Sequence, residues 1–176
     1  MTDTHVIRSE KDEFFAHHPQ SPLTGAQKKA FTGLSYYEEN PGLRLEIETI
    51  QFDQQEEIEM QTSTGDIQEY LRFGRIRFIV DGQPAELTIY ASEHGYFLPF
   101  VDAMAGVETY PAGRYLEPEP LPGGKFLVDF NMAYNPYCAY NERWSCPLTP
   151  FENRLKVAVR AGEKLPEGVW TDALHA

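Results

Sequence analysis

Residues 75–90, RIRFIVDGQPAELTIY, decide the fold class. Ile76, Phe78 and Val80 alternate with Arg75 and Arg77, the period-two pattern of a strand with one apolar face. Asp81-Gly82 follows, and the type I′ turn that this pair favours needs positive φ at both central residues. Leu87 and Ile89 carry the apolar positions beyond it. The segment therefore reads as a β-hairpin.

The same period extends outward on both sides. Upstream, Leu43, Leu45 and Ile47 alternate with Arg44, Glu46 and Glu48. The phase slips near Thr49, where Ile50 and Phe52 take over the apolar positions, and a bulge or bend is expected to absorb the slip. Ile58, Met60 and Thr62 make another alternating strand, and Gly65-Asp66 marks a turn. Downstream, residues 93–95 form a turn before an apolar strand over 96–101. Residues 113–130 read as a hairpin with Gly123-Gly124 at its tip and prolines that suit an outer arm. Leu155, Val157 and Val159 read as the last strand. Short strands joined by tight turns, without βα alternation, predict an antiparallel β-sandwich or barrel.

Before this body, residues 8–34 read as a helical cover. Ser9 with Asp12 resembles a helix start, Phe14 and Phe15 give an apolar side, and Pro19 and Pro22 end it. Thr24 with Gln27 has capping-box spacing for a second short helix anchored by Phe31 and Leu34 and ended near Gly33. His17 and His18 fall at the first helix's end, where the helix dipole favours imidazolium, a reading preferred over metal ligation. The expected organisation is one domain over 1–176: the cover, a β body over 43–160, and a tail over 161–176 whose Trp170 packs back.

The chain has 176 residues, enough to bury a core without a disulfide or metal. Aromatics reach 13%, which favours β structure. The net charge of −12 makes nucleic acid and anionic membranes poor partners. No apolar run approaches the ~18 residues of a membrane span. The first residues lack the apolar core of a secretory signal, so a cytoplasmic location is expected. Two cysteines in such a chain are expected to be thiols rather than a staple. There is no P-loop, GxGxxG, GxSxG, HExxH or zinc-type cysteine spacing, so the common nucleotide, hydrolase and zinc chemistries have no sequence support and no metal site is expected.

The irregular stretch is 129–153, DFNMAYNPYCAYNERWSCPLTPFEN, which holds both cysteines. Phe126, Val128 and Phe130 share one face of their strand. Asp129 and Asn131 then share the other, about 7 Å apart, facing either solvent or a polar pocket. Asn135-Pro136 and Asn141-Glu142 read as turns. Cys138 and Cys146 lie eight apart across the second turn, open to four readings: buried thiols, a disulfide, a metal pair or a nucleophile. Just upstream, 99–116 clusters Asp102, Glu108, Thr109, Tyr110 and Arg114. An arginine there either clamps an anion bidentately or pairs with Glu108 or Asp129.

With these blocks in view, the chain resembles the DUF1684 family of uncharacterised bacterial and archaeal proteins. The resemblance runs from Ser21-Pro22-Leu23 and the Phe31, Gly33, Leu34, Tyr36 cluster through PFVDAMAGVETYPAGRYL to VDFNMAYNPYCAYNERWSCPLTPFENRLKVAVRAGE. It implies no reaction and no cofactor. It does imply that Glu108, Thr109, Tyr110, Gly113 and Arg114 belong with Asp129, Asn131, Tyr134, Asn135, Cys138 and Cys146. The leading expectation is a pocket for a small polar or anionic molecule, with Asp129 and Asn131 as floor, residues 134–146 as wall and Arg114 orienting the ligand. Two alternatives stand beside it. One is an enzyme using Cys138 or Cys146 as nucleophile, or Asp129 and Glu108 as acid and base. The other is a structural protein in which 128–153 is a rigid clasp.

Overall fold

The computed structural model describes residues 3–166. The chain is mainly β and antiparallel, with two helices, and its sheets do not close into a barrel. Helix α1 spans Thr4–His17 and α2 spans Gly25–Ala30. The strands are β1 (Arg44–Glu48), β2 (Ile50–Gln51), β3 (Glu57–Gln61), β4 (Ile67–Val80), β5 (Gln83–Ser92), β6 (Gly95–Phe100), β7 (Arg114–Leu116), β8 (Glu119–Leu121) and β9 (Lys125–Asp129). A small sheet has the order β1-β9-β8; a large one has β2-β4-β5-β6-β7, with β3 also on β4.

The central hairpin forms as its sequence predicts. Asp81 and Gly82 both have positive φ (51° and 76°), and Val80 pairs with Gln83 across the turn. Ile76 opposite Leu87 and Phe78 opposite Ala85 put one face into the main core, while Ile79 on the other face is 70% exposed. That core is closed from the far side by Phe126, Val128 and Phe130. The opposite face of the large sheet is covered at its other end, away from the exposed Ile79. Tyr90, Phe97, Tyr115 and Met60 pack with Cys138 and Cys146 in a second cluster. The cysteine-bearing stretch is thus the second cover of a three-layer arrangement. It also carries Ala139 and Tyr140, against which Phe15 of α1 packs.

Several expectations are corrected. Helix α1 begins at Thr4, because Asp3 caps it by accepting from His5 N at 2.9 Å; Ser9 lies inside it. The Thr24–Gln27 capping box is present at α2. The phase slip at Thr49 is a change of sheet: β1 pairs with β9 and β2 with β4. The bulge sits instead in β4, between Arg72 and Gly74, within a strand that begins at Ile67. Of the 113–130 hairpin, only β8 and β9 pair, and β7 joins β6. Leu155, Val157 and Val159 form no strand. Val157 and Val159 are buried, but their neighbours bond to loop groups, as Leu155 N to Val101 O (2.7 Å) and Ala103 N to Val157 O (3.0 Å). Residues 161–163 are buried in the body rather than in a tail. Gly162, at φ 80°, passes so close to the 130–133 turn that a Cβ would meet Phe130 O and Ala133 O at 2.7 Å. Trp170 lies outside the described residues.

Candidate functional site

Arg114 starts β7 and is 1% exposed. It donates through Nη1 to Ala161 O and Glu163 O and through Nη2 to Val159 O (2.8 Å). Asp102 is its ion partner at 3.6 Å, in place of the expected Glu108 or Asp129. Asp102 itself accepts from Thr109 Oγ1 (2.7 Å) and Val159 N (2.8 Å). Arg114 is therefore committed on every side to the segment 159–163. Burial pushes its guanidinium pKa down, against the pull of Asp102.

Asp129 and Asn131 do not share a strand face. The chain turns into a 3-10 turn at Phe130, and Asp129 caps it, accepting from Asn131 N (3.0 Å) and Asn131 Nδ2 (2.9 Å). The buried Asn131 also grips Asn40, accepting from its N at 2.8 Å and donating to its O at 2.9 Å. Asn135 is buried too. Its N donates to Glu163 Oε1 (3.1 Å) and its Nδ2 to Lys164 O (2.9 Å). Glu108 stands apart, accepting from Tyr37 Oη at 2.7 Å and Arg160 Nε at 3.2 Å, and the Tyr37 hydroxyl leads the groups that hold its carboxyl below the usual range.

What converges on a cavity is a different set. A cleft of about 600 Å³ opens between α1 and the inner end of the small sheet. Of the expected residues, Asp129, Asn131 and Tyr134 line it; Glu108, Tyr110, Arg114, Asn135 and the cysteines do not. Its opposite wall is α1, with Thr4, Arg8 and Lys11 on one helical face. Phe15, one turn further, anchors that face in the protein. Lys11 is ion-paired with Glu163, a carboxylate whose residue is only 1% exposed and which also accepts from Tyr140 Oη at 3.0 Å. Arg44 lies 3.8 Å from Asp129.

Arg8 has no such partner. Its guanidinium stacks 4.3 Å over the Tyr36 ring, and Nη1 donates to Tyr37 O at 3.0 Å. Nε and Nη2 are buried with no partner, as is the Tyr36 hydroxyl. Among the described residues six buried side-chain polar atoms lack a partner, and these three belong to lining residues of this one cleft. Each such donor costs about 1–3 kcal/mol when left unmade. Burial, then Glu163 and Asp12, pushes the Tyr36 hydroxyl pKa well up, so it remains a neutral donor.

Sequence reasoning missed Arg8 because it took Ser9 as the helix start, six residues beyond the actual cap Asp3, and treated the helix as a cover. The signal that was present is the spacing of Thr4, Arg8, Lys11 and Phe15, which puts two half-buried basic residues on the inward stripe of the helix.

A second cleft of about 440 Å³ adjoins the first, sharing Lys11 and Tyr134 with it, and is walled by Tyr115, Tyr137 and Trp144 around Cys146. Both cysteines are free and buried. Cys138 N donates to Cys146 Sγ at 3.3 Å, and the Tyr110 hydroxyl lies 3.7 Å from Cys138 Sγ. A hydrogen bond from the Cys146 thiol, with help from Tyr110 and against burial, brings the Cys138 thiol down to about 7. The same bond, with burial, pushes Cys146 up.

Comparison with known proteins places these features in a lineage. The family described as "Protein of unknown function (DUF1684)" matches residues 29–164. The chain is also similar to an uncharacterised protein of Haloarcula marismortui solved by solution NMR, with 38% identity over 91% of each chain and a TM-score of 0.68. No curated protein matches significantly.

Proposed function

We infer that this chain, which belongs to the DUF1684 family, is a single-domain cytoplasmic protein that binds a small carboxylate in the cleft between α1 and the small sheet. The observation that carries this reading is the free Nε–Nη2 edge of Arg8 in the cleft wall. That edge is the planar fork that meets a carboxylate with two parallel hydrogen bonds. Tyr36 stacking and the Tyr37 carbonyl hold the guanidinium from the other side, so little freedom is lost on binding. Both nitrogens are buried, so ligand entry requires the Arg8 side chain to move.

Charge counting narrows the ligand. The lining contains the cations Arg8, Lys11 and Arg44, against the acids Glu117, Glu119, Asp129 and Glu163. Lys11 and Arg44 are already matched to Glu163 and Asp129. With Glu117 and Glu119 beside the one unmatched cation, the lining sums to −1, so a dianionic phosphate is repelled more strongly than a single carboxylate, which relies on the Arg8 fork for its hold. Leu116, Leu127 and Met132 offer an apolar floor for the rest of the molecule. The role first assigned to Arg114 thus passes to Arg8, with Asp129, Asn131 and Tyr134 retained as lining.

The test is an amide chemical-shift titration with acetate, hexanoate, benzoate and phenyl phosphate. A monocarboxylate is expected to shift amides at 7–11, 36–37 and 128–134, and Arg8→Met is expected to abolish those shifts. Equal binding by Arg8→Met, or no response at those amides to any carboxylate at millimolar concentration, would reject the assignment.

A further inference from the structure

We propose that Cys138 and Cys146 are a redox-active dithiol, oxidised by a small hydroperoxide that enters the aromatic-walled cleft beside Cys146, and that they close into an intramolecular disulfide. This goes beyond carboxylate binding and uses none of the Arg8 machinery.

Geometry comes first. The Cys138 amide donates to Cys146 Sγ at 3.3 Å. The N–Cα bond adds at most about 1.5 Å, so that sulfur lies within about 5 Å of the Cys138 Cα. Bridged cysteines have Cβ atoms about 3.8 Å apart, and a sulfur this near the partner's backbone is compatible with that spacing. Both residues are held in place. Cys138 lies in the 3-10 turn Tyr137–Ala139, and Ser63 bonds both backbone groups of Cys146, accepting from its N at 3.1 Å and donating to its O at 2.9 Å. Closing the bridge needs side-chain rotation and only slight backbone movement.

Chemistry comes second. A thiol packed only among apolar groups is inert, since burial disfavours the thiolate that reacts. Cys138 is instead flanked by a thiol and the Tyr110 hydroxyl, both able to donate to a thiolate. One member of the pair can ionise while the other keeps the shared proton. Access comes third. Cys146 lines a cleft of about 440 Å³, ample for a molecule the size of hydrogen peroxide, whose walls include Trp144 and Tyr137; Cys138 does not line it, so the peroxide reaches the Cys138 sulfur past the Cys146 side chain.

The step balances as two thiols plus ROOH giving disulfide, ROH and water. The Cys138 thiolate attacks the distal peroxide oxygen. The O–O bond breaks, ROH leaves with the thiol proton, and Cys138 becomes a sulfenic acid. The Cys146 sulfur then attacks the sulfenic sulfur, the S–O bond breaks and water departs. Two electrons pass from the sulfurs to the peroxide. The chain contains no other cysteine, so no second route to a bridge within one chain exists.

The experiment treats the fully reduced, full-length protein with a small excess of hydrogen peroxide, in parallel with glutathione disulfide, and follows thiol count and intact mass. With peroxide the two thiols are expected to vanish together, with loss of two hydrogen masses and no oxygen gained, and dithiothreitol restores both. Cys146→Ser is expected to stop at a sulfenic acid that dimedone traps on Cys138. Cys138→Ser is expected to oxidise at least tenfold more slowly than the wild type. Persistence of both thiols until denaturant is added would overturn the proposal, as would gain of oxygens without a bridge. Closure by glutathione disulfide alone would overturn the hydroperoxide assignment. Should either variant fail to fold, the wild-type count and mass still decide.

Discussion

Arg114 and Arg8 are both arginines drawn into the protein, and they differ in what surrounds them. Arg114 has three backbone carbonyls and an aspartate around it, all from one body of packed chain. Arg8 has one carbonyl, one aromatic ring and two nitrogens left over. The first arrangement is a finished structural joint, because its charge and both terminal nitrogens are answered by groups of the chain itself. The second is a joint with an opening. A buried arginine is thus informative about function only after its hydrogen bonds are counted; burial and charge alone do not separate the two.

The sharpest way to break this contrast is Arg114→Met. It strands Asp102 without its ion partner and frees the carbonyls of 159–163, so a loss of about 3–5 kcal/mol is expected in urea unfolding. A loss below about 1 kcal/mol would mean that Arg114 is as dispensable as a surface residue. Next comes Glu163→Gln, which removes the charge opposite Lys11 and places an amide donor where Lys11 also donates. Lys11 is partly exposed, so screening lowers the cost to about 2 kcal/mol, with α1 amides exchanging faster while those of β4 and β5 are unchanged. Arg8→Met follows, at about 1 kcal/mol or less, since it gives up one hydrogen bond and a ring stack but also removes two unmade donors. Thermal melts of Arg8→Met and Arg114→Met side by side test that ordering directly. Smallest is Tyr36→Phe, expected to change stability by no more than about 0.5 kcal/mol, because its hydroxyl has no partner to lose. A large loss there would show that the hydroxyl is bonded in solution, and the cleft would lose one of its three open groups.

How much of this was legible depends on how local the cause is. The Asp81-Gly82 turn and the Thr24–Gln27 cap were readable because each is settled within four residues. The strand alternation at 43–48 was readable, but its slip was not, since a bend and a change of sheet look alike until the partner strand is known. The alternation at 155–159 reported burial correctly and pairing wrongly: apolar spacing says which side is inside, not what the backbone bonds to. Asp129 and Asn131 were picked out together, and they do meet, through a cap rather than a shared face. The cleft itself joins residues 4–11, 36, 116–134 and 163, and no local pattern announces a meeting of that range. The partner of Arg114 was misjudged for a similar reason. Asp102 lay in the same block as Glu108, and only the fold distinguishes a carboxylate turned in from one turned out.

The contact between Lys11 and Glu163 spans 152 positions of the chain. Polypeptides are made from the amino end at about 5–20 residues per second. Helix α1 therefore leaves the ribosome roughly eight to thirty seconds before its buried anchor exists. During that interval Lys11 has no carboxylate to pair with, and Phe15 has only Leu23 and Phe31 of its partners until Tyr140 emerges. The hairpins of the large sheet can pair as they emerge, whereas the wall that completes the cleft must wait for the final residues of the body. The cleft is in this sense among the last parts of each new molecule to be completed, and a nascent chain stopped before residue 163 would lack the carboxylate that pairs with Lys11.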